Sequence, residues 1–285
     1  MSRKMRMYYY GVMGGIGGLI SWQVFNLLGL SFAKSIYLAE IVLGALIGLS
    51  IGALIGLAEG LVRRNLVHAL KSALITGGLG LVGGAIGLPL SEAMFQLLGG
   101  GIVGRLLGWG VFGLVTGLAA GFTAGTQRWK GALGGFLGGL LGGTFFAVSS
   151  SWFASTAIGK VIGFILLGAS VGAFIALIAY ILSRAWIEVK SGKLKGMEFI
   201  LDKFLPSTGP SAFIGSDALK AEIVLPDPDV APQHAMLKGM GTHFNLKDMS
   251  LSGTFVNNKK IEQVRLGNNQ VIRIGNTELI YHEKR

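Results

Sequence analysis

Two kinds of hydrophobic pattern divide the chain near Trp186. Before this residue, long apolar runs follow one another with short polar breaks, and each run is long enough to cross about 30 Å of hydrocarbon as a helix. The runs are Tyr10 to Leu30, Ile36 to Leu57, Ser72 to Leu90, Val103 to Ala124, Ala132 to Trp152 and Ala157 to Leu182. The pattern therefore predicts an α-helical polytopic membrane domain over residues 1–185, with one transmembrane helix for each of the six runs.

Short β-type runs separated by Gly, Pro and Asp turns replace the long apolar runs after Trp186. Runs such as "WIEV", "AEIVL", "HFNLK" and "TELIYH" are rich in β-branched and aromatic residues and alternate apolar with polar positions. This alternation is typical of strands that bury one face. It predicts an all-β sandwich over residues 186–285, as a second domain that follows the membrane part.

The second, fourth and sixth predicted helices resemble one another in sequence. "EIVLGALIGLSIGALIGLAEGLVRR", "RLLGWGVFGLVTGLAAGFTAGTQRW" and "KVIGFILLGASVGAFIALIAYILSR" can be overlaid, which predicts three helical hairpin repeats. Small residues coincide four positions apart, as in a glycine zipper, and helices in lipid associate through such faces because their backbones can approach closely. The predicted packing positions are Gly48, Gly52, Gly56, Gly113, Gly117, Gly121, Gly168 and Gly172.

Composition and charge support a membrane domain and argue against a nucleic-acid-binding one. Of the 47 glycines, 38 precede Trp186, and this part holds 12 basic and 3 acidic residues. The basic residues stand singly between apolar runs, which is unlike a groove for nucleic acid. Nine of them fall in loops on the side of the N-terminus and three on the other side. The positive-inside rule therefore predicts a multi-pass protein of the cell membrane with both termini cytoplasmic.

Charged residues are rare inside the predicted spans. Glu40 lies near the start of its span and can snorkel outward, and Glu59 can pair with Arg63 one helical turn further on. No ionisable residue lies near the centre of a predicted helix. Proton and ion pathways usually keep such a residue, so we expect packing to explain the glycines better than a conducting path.

The sequence gives no pattern for catalysis or for a bound cofactor. The absence of cysteine excludes disulfides and thiolate sites. Gly78, Gly80 and Gly83 fit G-x-G-x-x-G, but they lie inside an apolar run without a preceding soluble strand or a following ribose-binding acid. The histidines stand apart from carboxylate clusters. We therefore expect no cofactor, no metal site and no enzymatic activity.

The C-terminal part carries a recognisable series of segments. "SGKLKGMEFIL", "FIGSD", "AEIVLPDPDVAPQHAML", "LKDMSLSGTFVNNKKI" and "IRIGNTELIY" follow one another in this order. With these segments, residues 186–285 resemble a forkhead-associated (FHA) domain. The resemblance implies a two-sheet sandwich whose loops at one end recognise phosphothreonine peptides.

The positions that hold the ligand in the family are altered in this chain. The matching positions are Gly215, Ser216, Ala231, Pro232, His234, Ser252 and Gly253. Ser216 stands where the family has a phosphate-binding Arg, and Ala231 and Pro232 replace a Ser and the basic residue after it. Ser252 replaces the Asn that grips the ligand backbone, whereas His234, which braces the loop in the family, is kept. We expect that this degenerate site does not bind phosphothreonine with useful affinity.

Together these patterns predict an integral membrane adaptor or signalling scaffold whose cytoplasmic FHA-like domain binds a protein partner. The alternative is a channel, a transporter or a lipid-moving protein that this domain regulates. Flux through proteoliposomes made with residues 1–185 would separate the two. The expected partners are a cytoplasmic protein and the lipid bilayer, with no nucleic acid, and a homo-oligomer is compatible with the sequence.

Overall fold

The computed structural model describes residues 3–29, 36–62, 66–121, 127–153 and 157–284. Its residues group into two compact units, one over 4–181 and one that contains 182–285. The first unit is helical. Its helices are α1 (Arg3–Leu27), α2 (Ile36–Val62), α3 (Leu66–Leu97), α4 (Ile102–Gly121), α5 (Arg128–Trp152) and α6 (Ala157–Ile181). The prediction of six helices followed by a β-sandwich is confirmed.

Five of the six helices, α2 to α6, are long and apolar enough to cross a membrane. The helix α1 is the least apolar of the six, with Arg3, Lys4 and Arg6 in its first turns and Gln23 and Asn26 near its end. Helix α3 continues seven residues past the predicted end at Leu90, to Leu97, and contains Pro89 in its interior. Proline inside a helix removes one backbone hydrogen bond but is tolerated in bundles where neighbouring groups satisfy the freed carbonyl.

The aligned glycines of the even helices lie at equivalent helix crossings. The closest glycine pairs are Gly48 with Gly80, Gly113 with Gly135 and Gly168 with Gly14. In each pair, a Cβ on the even helix would overlap the backbone carbonyl of the partner glycine. These crossings join α2 to α3, α4 to α5 and α6 to α1. The first two crossings thus join an even helix to the helix that follows it, and the third joins α6 to the first helix.

The remaining predicted packing positions extend these crossings along the same faces. A Cβ on any of them would overlap atoms of a neighbouring helix. The contacts are Gly52 with Thr76, Gly56 with Ser72 and Thr76, Gly117 with Gly131, Gly121 with Arg128 and Gly172 with Tyr10. Thr76 adds a hydrogen bond across the α2 and α3 crossing, because its hydroxyl donates to the Gly52 carbonyl at 2.7 Å.

We expect Gly113→Leu and Gly168→Leu to destabilise the helical unit in detergent by about 1–3 kcal/mol through overpacking. The added side chain meets backbone atoms, which cannot rotate away as a flexible side chain can. Thermal unfolding of the purified chain measures the change. The conservative change Leu114→Ile, next to Gly113 on α4, is the control. Equal stability of Gly113→Leu and this control would contradict the packing role.

Apolar side chains fill the region where the even helices meet. The side chains that are almost fully buried there are Ile47, Ile51 and Ile55 of α2, Phe112 of α4, and Leu167, Val171 and Ile175 of α6. They belong to one continuous hydrophobic cluster. Aromatic contacts continue this cluster, since Trp109 packs on both Phe112 and Phe146.

The second unit is a two-sheet sandwich. Its strands are β1 (Ala185–Val189), β2 (Glu198–Ile200), β3 (Ala212–Gly215), β4 (Ile223–Val224), β5 (Ala235–Gly239), β6 (Phe244–Asp248), β7 (Thr254–Val256), β8 (Lys259–Ile261), β9 (Gln263–Arg265), β10 (Val271–Ile274) and β11 (Thr277–Glu283). One sheet has the order β2-β1-β11-β10-β7-β8, and the other has the order β4-β3-β5-β6-β9. The pairs are antiparallel except that of β3 with β4.

Alternating burial along the strands forms a single core between the two sheets. Ile187 of β1 and Leu279 of β11 enter it from one sheet, and Leu237 of β5 and Leu246 of β6 enter it from the other. All residues of this core lie between Ala185 and Tyr281. Because a domain with its own hydrophobic core can fold by itself, we expect the tail to fold without the helices.

Candidate functional site

Three loops meet at one end of the sandwich and, together with Gly215 at the end of β3, carry the sequence-predicted ligand positions. They connect β3 to β4 (residues 216–222), β4 to β5 (225–234) and β6 to β7 (249–253), and we call them the ligand loops. Backbone hydrogen bonds tie the first two together, since the Ser216 N–H donates to the Ala231 carbonyl at 3.0 Å. The structure thus brings the predicted positions to the same place.

Gly215 and Ser216 fix the loop that precedes β5. A Cβ on Gly215 would overlap the carbonyl of Pro232, so only glycine allows the two backbones to approach this closely. The Ser216 hydroxyl donates to the carbonyl of Val230 at 2.8 Å. The residue that stands in place of the family's phosphate-binding Arg therefore uses its side chain to hold the protein's own backbone.

His234 connects the second and third ligand loops from a fully buried position. Its Nδ1 accepts a hydrogen bond from the Ala231 N–H at 3.1 Å. Its Nε2 lies 3.0 Å from the Ser250 hydroxyl and 3.3 Å from the Gly253 carbonyl. Since Nδ1 accepts, the proton of the neutral ring is on Nε2, where it can be donated to Gly253. The imidazole thus acts as a brace inside the loops.

Asp248, at the end of β6, organises the third ligand loop. Its Oδ1 accepts from the Thr254 hydroxyl at 2.8 Å, from the Ser250 hydroxyl at 3.0 Å and from the Ser250 N–H at 3.2 Å. Burial raises the pKa of Asp248, but the hydrogen bonds from Thr254 and Ser250 outweigh it and hold the pKa below its ordinary value. Asp248 is not among the residues predicted from the sequence. An Asp followed two residues later by Ser is nevertheless a signal for a turn in which the Asp side chain accepts a backbone hydrogen bond.

We expect Asp248→Ala to destabilise the tail by about 1.5–3 kcal/mol at neutral pH, because hydrogen bonds to a charged acceptor are lost. The folded-state pKa is depressed, so this stabilisation is present above the ordinary Asp pKa of about 3.9 and is lost as the pH falls through the folded value. Thermal unfolding of residues 182–285 should therefore show a gap between wild type and variant that closes in acid. The exposed carboxylate change Glu262→Ala is the control, and a gap independent of pH would contradict the assignment.

A second carboxylate anchors the base of the β4–β5 loop. Asp227 accepts hydrogen bonds from the Asn276 N–H and the Thr277 hydroxyl, both at 2.9 Å, and from the Asp229 N–H at 3.1 Å. Burial raises the pKa of Asp227, but these three bonds outweigh it and lower the pKa below its ordinary value. These bonds fasten the β4–β5 loop to the β10–β11 hairpin, so the role of the Asp227 carboxylate is structural.

The altered ligand positions, Ser216, Ala231, Pro232 and Ser252, carry uncharged side chains. Pro232 and Ser252 are exposed, and Leu251 is fully exposed at 103%. The cation nearest in sequence, Lys220, has its ammonium 4.0 Å from the Asp217 carboxylate. Among the described residues, no group of three or more His, Asp or Glu side chains is placed to hold a metal ion. The altered positions therefore supply no cation for a phosphate dianion, and the ammonium of Lys260 lies beside Gly253 of the third loop.

The family model of the FHA domain matches residues 212–275, which include all the ligand loops. Residues 212–275 of the C-terminal unit are an FHA domain, and the resemblance seen in the sequence is confirmed.

Known proteins share this part of the chain. It is 31% identical over 98 residues to the glycogen accumulation regulator GarA of Mycobacterium tuberculosis. The aligned segment is 34% of this chain and 56% of that protein. The FHA domain of the CT664 protein from Chlamydia trachomatis is 31% identical over 36% of this chain and all of that one, with a TM-score of 0.33. The FHA domain of FhaA, solved in complex with the intracellular domain of Rv3910, is 28% identical. The match covers 34% of this chain and 99% of that one, with a TM-score of 0.30. This chain thus spans about half the length of the curated relative.

Proposed function

We propose that the chain is an integral membrane adaptor that presents its FHA domain to a protein partner in the cytoplasm. The observation that carries this proposal is chain continuity. The last of the five apolar helices ends at Ile181, and the first strand of the sandwich begins at Ala185. FHA domains are protein-interaction modules. A module joined so directly to a membrane helix is held at the membrane, where it raises the local concentration of its partner.

The partner is bound without a phosphothreonine clamp. Ser216 bonds the backbone of Val230, and the side chains of Ala231 and Pro232 carry no charge. A phosphate with nearly two negative charges needs several donors directed at its oxygens. The regulator GarA shares the domain by similarity, which supports a regulatory role for the adaptor.

The conduction alternative gains no support from the described helices. Ile51, Phe112 and Val171 are fully buried where the even helices meet. Channels and transporters place polar groups or water-filled space along their paths. The glycine contacts between these helices are explained by packing.

Crosslinked capture from native membranes tests the adaptor function. The full chain should retain proteins that a chain lacking residues 186–285 does not. Topology is tested in intact cells, since the chain has no cysteine of its own. An impermeant thiol reagent should label Ser151→Cys and spare Ser252→Cys, both at exposed positions. Identical captured proteins with and without the tail would contradict the adaptor function, and labelling of Ser252→Cys would contradict its cytoplasmic side.

A further inference from the structure

A groove with a basic rim crosses the outer face of the five-stranded sheet, away from the ligand loops. We call this surface the basic groove. It encloses about 440 Å³ and is lined mainly by Met236, Lys238, Met240, Asn245, Lys247 and Gln263. Arg265 of β9 lies opposite Asn245 in the sheet and adds a third cation next to this lining. Cavities that hold ligands have volumes of about 300–1,000 Å³, so the groove is large enough for a bound segment.

The strand register spaces the positive charges of the groove. The cross-strand pairs are Lys238 with Asn245, Asn245 with Arg265, Met236 with Lys247 and Lys247 with Gln263. Directly opposite side chains have their Cβ atoms about 4.5–5.5 Å apart, and like charges there repel. In this groove every cation is opposite a neutral residue. The three cations therefore avoid direct repulsion and are directed to the same side of the sheet.

The cations of the groove are available for a partner. Lys238, Lys247 and Arg265 are exposed, and within the described part of the chain none of them forms an ion pair. The lining residues include no Asp or Glu. Attraction between this surface and a negatively charged partner is thus not cancelled by carboxylates of the groove itself.

The floor of the groove suits a polypeptide better than a bare anion. Met236 is half-buried and Met240 is 45% exposed, and methionine adapts its shape to different apolar side chains. Asn245 and Gln263 add amide groups that can both donate to and accept from a peptide backbone. The groove therefore combines charge, apolar contact and backbone recognition within one surface.

We infer that the basic groove binds an extended acidic segment of a partner protein. Carboxylates of the segment pair with Lys238, Lys247 and Arg265, while an apolar side chain between them packs on Met236 and Met240. This inference rests on the proposed adaptor function, and it places the partner on the sheet face, where the altered phosphothreonine positions take no part.

The test uses the full chain in nanodiscs of uncharged phosphatidylcholine. The probe is a fluorescent peptide of alternating Glu and Leu, with prolines to prevent self-association, and its Gln-for-Glu counterpart is the uncharged control. Fluorescence anisotropy should show salt-dependent binding of the Glu peptide only. Lys238→Glu with Lys247→Glu should weaken it about tenfold or more, whereas Lys238→Arg with Lys247→Arg should retain it. Lys195→Glu with Lys259→Glu makes the same charge change at exposed lysines elsewhere and should alter binding by less than about twofold.

Three results would contradict the inference that the basic groove binds an acidic segment. These are equal binding of the Glu and Gln peptides, equal losses in the groove and control variants, and binding to phosphatidylserine vesicles in place of the peptide. In the last case the groove is a lipid contact. None of these results touches the adaptor function, which fails only if removal of residues 186–285 leaves the captured proteins unchanged.

Discussion

Glu59→Leu should destabilise the helical unit by about 3–5 kcal/mol, because it breaks a buried ion pair and leaves a charge behind. The Arg6 Nη2 lies 3.1 Å from the Glu59 Oε1, and the two side chains are 4% and 1% exposed. The hydroxyl of Tyr10 donates to the other carboxylate oxygen. The ion pair joins α1 to α2 across 53 positions of sequence, and the Tyr10 bond joins them across 49.

Thermal unfolding in detergent measures the effect, and two further variants separate charge from packing. Glu59→Gln keeps an acceptor for Tyr10 without the charge, so an intermediate loss is expected. The double variant Arg6→Met with Glu59→Leu removes both charges and should be close to wild type, since apolar replacement of a whole buried pair is often neutral or stabilising. A double variant less stable than Glu59→Leu alone would show that the pair is not the source of the loss.

This ion pair includes a partner of Glu59 that the sequence did not predict. The sequence indicated that Glu59 can pair with Arg63 one turn on, which stays a prediction, and the structure shows a pairing with Arg6 of α1. Arg63 itself lies outside the described residues. Neighbours along one helix can be read from spacing, because the helical period fixes them. A partner on another helix depends on which faces cross and at what height, and spacing in a single sequence does not contain that information.

The glycine faces show the same boundary between what spacing predicts and what it leaves open. The spacing of four residues between Gly48, Gly52 and Gly56 is enough to identify a face of α2 that another helix can approach closely. It does not identify the partner, because a glycine face fits any other small-residue face. That α6 meets Gly14 of α1 follows only from the structure.

In the sandwich, turn residues located the ligand loops but not the direction of their side chains. Gly215 and Gly253 are required by backbone geometry, since the first lies against a carbonyl and the second has a φ of 87°. A close backbone approach and a positive φ both favour glycine, so these two positions can be recognised in the sequence. The rotation of the Ser216 hydroxyl toward Val230 and the three bonds to Asp248 depend on local packing, which sequence does not specify.

Restoring the clamp should create phosphothreonine binding on the preserved framework. The variant carries Ser216→Arg, Ala231→Ser, Pro232→Arg and Ser252→Asn. Each charge-assisted hydrogen bond contributes about 1.5–3 kcal/mol, so two recovered bonds should raise affinity about a thousandfold. Gly215 and His234 stay unchanged, and the Ala231 N–H that bonds His234 belongs to the backbone. The substitutions therefore add donors while the brace that positions the loops remains.

Calorimetric titration of residues 182–285 with a phosphothreonine peptide library, and with the same peptides unphosphorylated, measures the gain. Thr208→Arg with Thr242→Arg adds the same two charges at exposed positions away from the ligand loops, so it separates clamp geometry from general attraction of an anion. Micromolar, phosphate-dependent binding by the unmodified tail would contradict the degenerate site and favour a phosphopeptide receptor. A folded clamp variant that binds no better than the control would mean that the loops hold their residues in positions that no longer converge on a phosphate. If only the clamp variant binds, the loops braced by His234 and Gly215 already have the shape that a phosphothreonine site needs. Four substituted side chains are then enough to complete the site, because the backbone that positions them is already in place.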